Sequence, residues 1–181
     1  PQAFSVADTD QDGDLDIALI DNFDDVLIHY ENNGDQTFTK QTLVSDLDAN
    51  LLEVADLDHD GDLDYLVNDD GLSWYEQTQS GLTQHVLASG LHYSIDVADV
   101  NSDGFLDIVA YLSWLDTDGS ENGTLRTLSE DANQPADIRA TDFNGDGDLD
   151  VVFSSSRGSQ WIENINGILL SIEEMNPIPG S

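Results

Sequence analysis

An acidic loop of nine residues occurs four times in this chain, and its residue types are those that bind divalent cations. The copies span residues 8–16, 56–64, 99–107 and 142–150, and their starts lie 48, 43 and 43 residues apart. Each copy has Asp at positions 1, 5 and 9, Asp or Asn at position 3, and Gly at position 6. The chain is therefore interpreted as a repeat array in which every repeat carries one candidate cation site.

The order of oxygen donors in this loop fits Ca²⁺, which takes roughly six to eight oxygen ligands. Side chains 1, 3, 5 and 9 and the backbone carbonyl of position 7 can point at one centre, because Gly at position 6 permits a sharp turn. We predict about four Ca²⁺ ions, one per repeat. The predicted ligands are, in chain order, Asp8, Asp10, Asp12, Asp14 and Asp16; Asp56, Asp58, Asp60, Asp62 and Asp64; Asp99, Asn101, Asp103, Phe105 and Asp107; and Asp142, Asn144, Asp146, Asp148 and Asp150.

Other interpretations of the loop are weaker. Mg²⁺ seldom uses an all-protein cage, and Zn²⁺ favours Cys or His ligands, which the ligand positions lack. An EF-hand needs Glu at the twelfth position, which is here apolar in every repeat: Leu19, Val67, Ala110 and Phe153. A solvated acidic turn would not need four copies in one register, nor Asn101 and Asn144 at a position where an amide oxygen can replace a carboxylate.

Composition restricts the function classes. The 181 residues suggest one domain or two, 39% of them are hydrophobic, and the formal charge is −34 with only four Lys and Arg. Such a chain repels nucleic acid and anionic membranes, and no apolar run approaches the ~20 residues of a membrane-spanning helix. The absence of cysteine leaves the redox compartment open. Weak calcium sites are typical of extracellular modules, so we expect a secreted or cell-surface protein.

The flanks of the four loops align as well, and each repeat contains four strand-like segments rich in β-branched and aromatic residues. The first segment precedes the loop, at residues 4–7, 52–55, 95–98 and 138–141. The second follows it, at 16–20, 64–67, 107–110 and 150–153, and the third lies at 28–32, 73–76, 113–116 and 160–164. The fourth, at 38–44, 82–87, 124–128 and 168–172, follows a turn that contains Gly.

Four strands in about 43 residues is the unit of a β-propeller. We therefore predict an all-β protein, a β-propeller built of four-stranded antiparallel blades, with four blades in this chain. The blades are expected at approximately 1–45, 46–90, 91–133 and 134–176, and residues 177–181 as a C-terminal linker. In repeat three only seven residues separate Asp107 from Trp114, so the loop between its second and third strands is expected to be very short.

Over residues 2–172 the chain resembles the FG-GAP/VCBS-type repeat proteins. The resemblance rests on the acidic loop with its following L-D-[IV]-[VA], on W-Y-E or Y-E-N in the third strand, and on N-G-x-x-x-F-T after it. Such repeats build the propeller head of integrin α-subunits and parts of many secreted bacterial proteins. Because that family usually closes its ring with seven or eight blades, three alternatives stay open: a fragment of a larger propeller, a four-bladed ring, or two chains that complete one ring.

One aromatic residue per repeat, at Tyr30, Trp74, Trp114 and Trp161, is expected to pack in the core rather than to stack on sugars. The residues three before each loop are Ser5, Glu53, Asp96 and Arg139, where we expect solvated or paired side chains, with Arg139 opposite Glu53 or Asp96. The resemblance implies that partners bind on loops between the second and third strands and between blades, at residues 21–25, 45–50, 68–72, 88–93, 129–135 and 154–159.

No catalytic constellation stands out. The four histidines share no spacing with a nucleophile and are expected to be structural or exposed, and the serines at 154–159 lack a G-x-S-x-G elbow. We therefore predict a non-enzymatic, extracellular, calcium-stabilised module for binding or adhesion that recognises a protein or a surface glycan. The alternatives are a structural or assembly subunit of a larger surface protein and a part, catalytic or not, of a polysaccharide lyase.

Overall fold

A computed structural model describes residues 3–90, 94–110, 113–120, 123–128, 137–155, 158–165, 167 and 169–174. The chain divides into two compact units. Unit 1 comprises Pro1–His92 and Gly119–Glu121, and unit 2 comprises Tyr93–Asp118 and Asn122–Ser181. Within the described residues each unit contains two four-stranded sheets and no helix.

Every sheet is an antiparallel meander, in which the strands follow one another in chain order. The first sheet consists of β1 (Ala3–Ala7), β2 (Asp16–Asp21), β3 (Val26–Asn32) and β4 (Phe38–Ser45), and the second of β5 (Ala49–Ala55), β6 (Asp64–Asp69), β7 (Gly71–Thr78) and β8 (Gly81–Ser89). The third sheet consists of β9 (Ile95–Ala98), β10 (Asp107–Ala110), β11 (Ser113–Asp116) and β12 (Thr124–Thr127), and the fourth of β13 (Asp137–Thr141), β14 (Asp150–Ser155), β15 (Gly158–Asn164) and β16 (Leu169–Glu174). The predicted all-β class and all sixteen predicted strands are confirmed.

The second strand of each sheet begins at the last residue of the acidic loop, so the loop is the connection between the first two strands. In unit 1 the first strands β1 and β5 lie side by side, and in unit 2 the same holds for β9 and β13. The residues three before the loops are partly paired, as expected: Arg139 Nη1 on β13 lies 3.9 Å from Asp96 Oδ1 on β9. The backbone N–H of Ala140 also donates to Asp96, at 2.6 Å.

Alternation of side chains along the strands builds a core in each unit. In unit 1, Ile20, Leu27, Leu52, Tyr65 and Val67 belong to one buried cluster. In unit 2 the corresponding cluster includes Val109, Trp114, Ile138, Val151 and Phe153. Burying a side chain of this size contributes roughly 1.5–3 kcal/mol, so these clusters rather than strand propensity hold the sheets of each unit together.

The short spacing in repeat three comes from its strands rather than from an unusually short connection. Strand β10 ends at Ala110 and β11 begins at Ser113, which confirms the short connection. In repeat two, however, the connection between β6 and β7 is a single residue, Asp70, with a positive φ of 49°. Repeat three is therefore shorter mainly because its strands have four residues each.

The expected alignment of the aromatic residues is wrong in repeat one. Trp74, Trp114 and Trp161 each pair across the sheet with the residue two after the acidic loop, namely Leu66, Val109 and Val152. In the first sheet that residue is Ala18, and its partner is His29, whereas Tyr30 pairs with Ile17 one position earlier. Tyr30 therefore corresponds to Tyr75, and His29 occupies the place of the tryptophans. Trp74 and Trp114 are buried as expected, and Trp161 is half-buried.

The four acidic loops share one backbone conformation, which needs a left-handed residue at positions 4 and 6. Glycine at position 6 has φ between 97° and 99° in all four loops. Position 4 is also left-handed, with φ near 60° at three non-glycine residues and 83° at glycine, and only the glycine adopts it without strain. These residues are Gln11, His59, Ser102 and Gly145.

Exchanging the residues at position 4 between loops should change stability in opposite directions. Ser102→Gly should stabilise the protein by up to about 1 kcal/mol, because an L-residue in this region costs roughly 1–2 kcal/mol, partly offset by the greater freedom of unfolded glycine. Gly145→Ser should destabilise it by about 1 kcal/mol, and it creates no clash, since a Cβ there has no atom within 4 Å. Urea unfolding measures both changes, and shifts of the same sign would contradict the shared conformation.

Candidate functional site

A buried aspartate at position 9 joins each acidic loop to the end of the third strand. Asp64 has no exposed surface; its Oδ2 accepts the backbone N–H of Leu57 at 3.1 Å and its Oδ1 that of Gln77 at 2.8 Å. The other three sheets repeat this pair of bonds: Thr9 and Asn32 donate to Asp16, Val100 and Thr117 to Asp107, and Phe143 and Asn164 to Asp150, at 2.8–3.1 Å. The sequence predicted these four residues only as metal ligands and missed this role.

The surroundings of the position 9 carboxylates shift their pKa values in different directions. Burial raises the pKa of both Asp64 and Asp107 to about 6, against the lowering effect of the two backbone N–H donors. Burial also acts on Asp16, but the donors Asn32 and Thr9, together with nearby His29, outweigh it and lower its pKa. Thr9 donates twice, since its Oγ1 lies 2.5 Å and its backbone N 2.9 Å from Asp16 Oδ2.

Inside each loop, the side chains at positions 3 and 5 hold the turn. The backbone N–H of position 5 donates to Oδ1 of position 3 at 2.9–3.2 Å in all four loops. In the same way, the N–H of position 7 donates to Oδ1 of position 5 at 2.8–3.0 Å. Each aspartate among these side chains uses one oxygen for the turn and has a second, whereas Asn101 and Asn144 use their single oxygen and have an NH₂ group instead.

Two loops bring carboxylates together in a way that suits a cation. One oxygen from each of Asp8, Asp10 and Asp16 lies within 4.8 Å of the others, and the same is true of Asp56, Asp58 and Asp60. The Oδ1 atoms of Asp8 and Asp56 are buried and have no hydrogen-bond partner. A buried carboxylate oxygen without a partner is costly, and Ca²⁺ is a ligand that would satisfy it. The residues present therefore fit the predicted ion.

Like charges crowd the second loop. Burial raises the pKa of Asp58, and the adjacent carboxylates Asp60, Glu76 and Asp56 raise it further. Glu76 lies on β7, at the position before the strand residue that donates to Asp64. This acid on the third strand, which recurs in every sheet, was not singled out from the sequence; the others are Glu31, Asp116 and Glu163.

Loops 3 and 4 relieve the crowding with an amide at position 3. Asn101 Nδ2 donates to Asp103 Oδ2 at 3.0 Å and to the strand acid Asp116 at 2.9 Å. Asn144 makes the equivalent bonds in the fourth sheet, to Asp146 at 2.9 Å and Glu163 at 3.4 Å. Aspartate at position 3 has no hydrogen to donate when it is ionised, so loops 1 and 2 lack the internal donor that loops 3 and 4 have.

The histidines of the described residues have structural settings, as expected. His29 is buried and its Nε2 lies 2.7 Å from Thr9 Oγ1. His85 pairs with Glu76 at 2.7 Å and packs against Trp74 with ring centroids 4.7 Å apart. His59 occupies the left-handed position 4 of its loop, and His92 lies outside the described residues.

The loops expected to contact partners have different settings in the part of the chain that the structure describes, and their binding role stays a prediction. Phe23 in the 21–25 loop is 92% exposed. Asn68 in the 68–72 loop is instead structural, since its Oδ1 accepts the backbone N–H groups of Asn50 and Leu51 at 3.0 and 2.7 Å. Residues 129–135 and parts of the 88–93 and 154–159 loops lie outside the described residues.

Comparison with known proteins establishes the family. A model of the FG-GAP-like repeat matches residues 8–67 and 56–110, which together cover more than half of the chain. The chain therefore belongs to the FG-GAP-like repeat family. A search of curated proteins found no significant match.

Two solved structures share the fold. The first is a lectin from Agrocybe aegerita that specifically recognises non-reducing terminal N-acetylglucosamine, with 17% identity, a TM-score of 0.66, and coverage of 94% of this chain and 52% of the lectin. The second is the V. cholerae biofilm matrix protein Bap1, with 19% identity, a TM-score of 0.63, and coverage of 94% and 27%. This chain thus spans about half and about a quarter of these proteins. At such identities the likeness shows the fold alone, and it confirms that the four sheets are β-propeller blades.

None of the described residues forms a helix long and apolar enough to cross a membrane.

Removing a position 9 carboxylate should destabilise its sheet. Asp107→Ala leaves the buried N–H groups of Val100 and Thr117 without an acceptor, at about 1–3 kcal/mol each. We expect a loss of about 2–5 kcal/mol in urea unfolding with chelator present, so that metal binding does not contribute. The matched control is Asp48→Ala, which removes one exposed carboxylate outside the loops and should change stability by less than about 0.5 kcal/mol. Equal effects of the two substitutions would contradict the assigned bonds.

The metal-free protein should become less stable as the pH rises from about 4 to 7. The folded pKa of Asp64 and Asp107 is about 6, above the ordinary value of 3.8. The folded state therefore binds their protons more tightly, and the stabilisation present at low pH is lost as the pH passes through 6. Thermal melts in EGTA across this range test it. The double variant Asp64→Asn, Asp107→Asn should show a smaller fall, and a wild-type melting temperature that rises with pH would contradict the assignment.

Proposed function

We propose that this chain is an extracellular, calcium-stabilised β-propeller module for binding or adhesion, which recognises a protein or a surface glycan and uses Ca²⁺ structurally. The observation that carries the calcium role is the pair of buried, unpartnered oxygens, Asp8 Oδ1 and Asp56 Oδ1, each on a carboxylate that clusters with two others of its own loop. Calcium sites with the ligands at positions 1, 3, 5, 7 and 9 would satisfy these oxygens and neutralise the crowding around Asp58.

The structural role follows from what the loop connects. The carboxylate at position 9 accepts a backbone N–H group from the end of the third strand. The side chains at positions 1, 3 and 5 hold the turn between the first and second strands. A bound cation would offset the repulsion among these carboxylates and so favour the folded arrangement of three strands at once. A ligand present at 100 times its dissociation constant stabilises the state that binds it by about 2.7 kcal/mol. Several such sites would rival the total stability of a typical domain, about 5–15 kcal/mol.

The binding role is supported by the family and by the proteins that share the fold. Of the two solved structures that share the fold, one is a lectin that recognises terminal N-acetylglucosamine and the other is a biofilm matrix protein. The likeness to the matrix protein also favours the second candidate, a structural or assembly subunit of a larger surface protein. A formal charge of −34 further favours a neutral or cationic partner over nucleic acid.

Removal of calcium should lower the melting temperature sharply. We expect excess EGTA to shift the thermal transition of the calcium-saturated protein by 10 °C or more, and Asp12→Ala or Asp60→Ala to reproduce part of that shift in the presence of calcium. Asp48→Ala, which removes the same charge outside the loops, should melt like the wild type in both conditions. An unchanged melting temperature in EGTA, or equal shifts of the melting temperature in all three variants, would contradict the proposal.

The binding role should show as capture of a partner by the calcium-saturated protein. Glycan and protein arrays probed in calcium, and again in EGTA, should give specific signals that fade as the loops lose their ion. Absence of any array signal together with self-association in analytical ultracentrifugation would favour the assembly role instead. Release of unsaturated products from a uronic-acid polymer, followed by absorbance, would contradict a non-enzymatic function.

A further inference from the structure

Each unit contains a cavity at the equivalent place between its two sheets. The cavity of unit 1 has a volume of about 470 Å³ and that of unit 2 about 230 Å³. On the first sheet the wall is formed by positions 2 and 3 of the acidic loop and two residues each from the third and fourth strands: Thr9, Asp10, His29, Glu31, Gln41 and Leu43. The corresponding wall of the third sheet consists of Asn101, Trp114, Asp116, Arg126 and Leu128. Strand pairing confirms the correspondence, since Gln41 lies opposite His29 and Arg126 opposite Trp114.

In unit 2 the wall of this cavity contains a cation of the protein itself. The guanidinium of Arg126 lies 5.4 Å from the ring centroid of Trp114. Its Nη2 and Nε donate to Asp116 Oδ2 at 2.8 and 3.2 Å, while Asn101 donates to the other oxygen, Oδ1, at 2.9 Å. The acid is therefore paired on both oxygens, and the chemistry that the cavity accommodates is a guanidinium on an aromatic face beside a carboxylate.

The second sheet follows the same plan with a weaker cation. His85 takes the position of Arg126, pairs with Glu76 at 2.7 Å and stacks on Trp74. Two of the sheets thus supply a basic side chain from the fourth strand to the acid on the third.

In unit 1 the cavity keeps the acid but lacks the cation. Gln41 replaces the arginine, and the smaller His29 replaces the tryptophan and is engaged with Thr9. Within the part of the chain that the structure describes, Glu31 has neither a hydrogen bond nor an ion pair with another side chain. The cavity is about twice as large as its counterpart, and the second sheet adds Asp62 and the apolar Leu82 to its lining.

We propose that the cavity between the first two sheets binds the guanidinium of an arginine side chain supplied by a partner protein, at the place that Arg126 occupies in unit 2. Glu31 corresponds to Asp116 and accepts the N–H groups of the guanidinium, and Asp62 contributes a second negative charge. Leu43 and Leu82 contact the methylene stem. The inference deepens the proposed binding role and rests on it, since it names a site and the chemistry of its ligand.

Calcium in the first loop leaves this site available. The ion would neutralise Asp10, which belongs to both the loop cluster and the cavity wall, but Glu31 and Asp62 are not among the side chains predicted to bind it. The net charge of −34 attracts a basic partner over a long range and raises its association rate. The experiment is therefore done on calcium-saturated protein.

The probe is the blocked tripeptide acetyl-Gly-Arg-Gly-amide, compared with its citrulline analogue, which has nearly the same shape and no charge. Isothermal titration should show one site for the arginine peptide and at least tenfold weaker binding of the citrulline peptide. Glu31→Gln should weaken arginine binding at least tenfold. Gln41→Arg, which installs the internal cation of unit 2, should abolish it without lowering the melting temperature. Asp24→Asn, which removes one exposed charge away from the cavity, should bind like the wild type.

Several outcomes would overturn the proposal. The first is equal binding of the two peptides, and the second is undiminished binding of the arginine peptide to Gln41→Arg. The third is an equal loss of affinity in Glu31→Gln and Asp24→Asn, which would indicate charge attraction without a site. If N-acetylglucosamine displaced the arginine peptide, and Glu31→Gln bound that peptide as well as the wild type does, the cavity would be assigned to a neutral sugar instead. Calcium binding is measured on the same samples by chelator competition. Intact calcium binding without arginine binding refutes this inference alone, whereas absent calcium binding refutes the proposed calcium role.

Discussion

Each blade depends on one buried carboxylate that accepts two backbone N–H groups, one from its own loop and one from the end of the third strand. At Asp64 and Asp107 the burial raises the pKa to about 6, although each carboxylate accepts its two backbone N–H groups at 2.8–3.1 Å. The carboxylate therefore links the acidic loop to the third strand, which carries the recurring aromatic side chain and acid. A cation that neutralises the loop would also stabilise the position of that strand, and in this way it would affect the surface that the strand forms.

The residue at position 3 determines how many carboxylates of the loop and of the third strand have a hydrogen-bond donor within the protein. Asn101 and Asn144 donate to two carboxylates each, so their loops carry an internal partner for the strand acids Asp116 and Glu163. Asp10 and Asp58 cannot donate, and it is in their loops that three carboxylates converge. The four loops thus have the same backbone conformation but unequal electrostatics, and the proposed calcium would contribute more to unit 1 than to unit 2.

The sequence was informative wherever four copies could be compared. The period of the loops predicted four strands per repeat and all sixteen strands, because the same apolar pattern had to recur around the same turn. Features that depend on one residue were not predictable in this way. Position 4 is left-handed in all four loops, but Gln11, His59 and Ser102 are not residue types that predict this conformation. Of the four residues, only Gly145 favours it. Tyr30 was aligned with the tryptophans because it is aromatic, whereas pairing with Ile17 shows that His29 is their counterpart. The ligand assignment itself, the domain boundaries and the closure of the ring remain predictions, since they depend on ions and blades that a single repeat pattern does not specify.

Repetition also explains how a binding site can arise in such a fold. The framework that positions Glu31 is the one that positions Asp116, since both lie on the third strand just before the residue whose N–H is held by the buried aspartate. When the fourth strand supplies Arg126, the acid is satisfied within the protein and the cavity is small; when it supplies Gln41, the acid and a larger cavity remain for another molecule. Differences of side chain at a few equivalent positions, Gln41 for Arg126 and His29 for Trp114 among them, therefore distinguish the structural ion pair from the proposed recognition site. Because the fold is common to a lectin and a matrix protein, differences of this kind, rather than the blades themselves, must decide what each propeller binds.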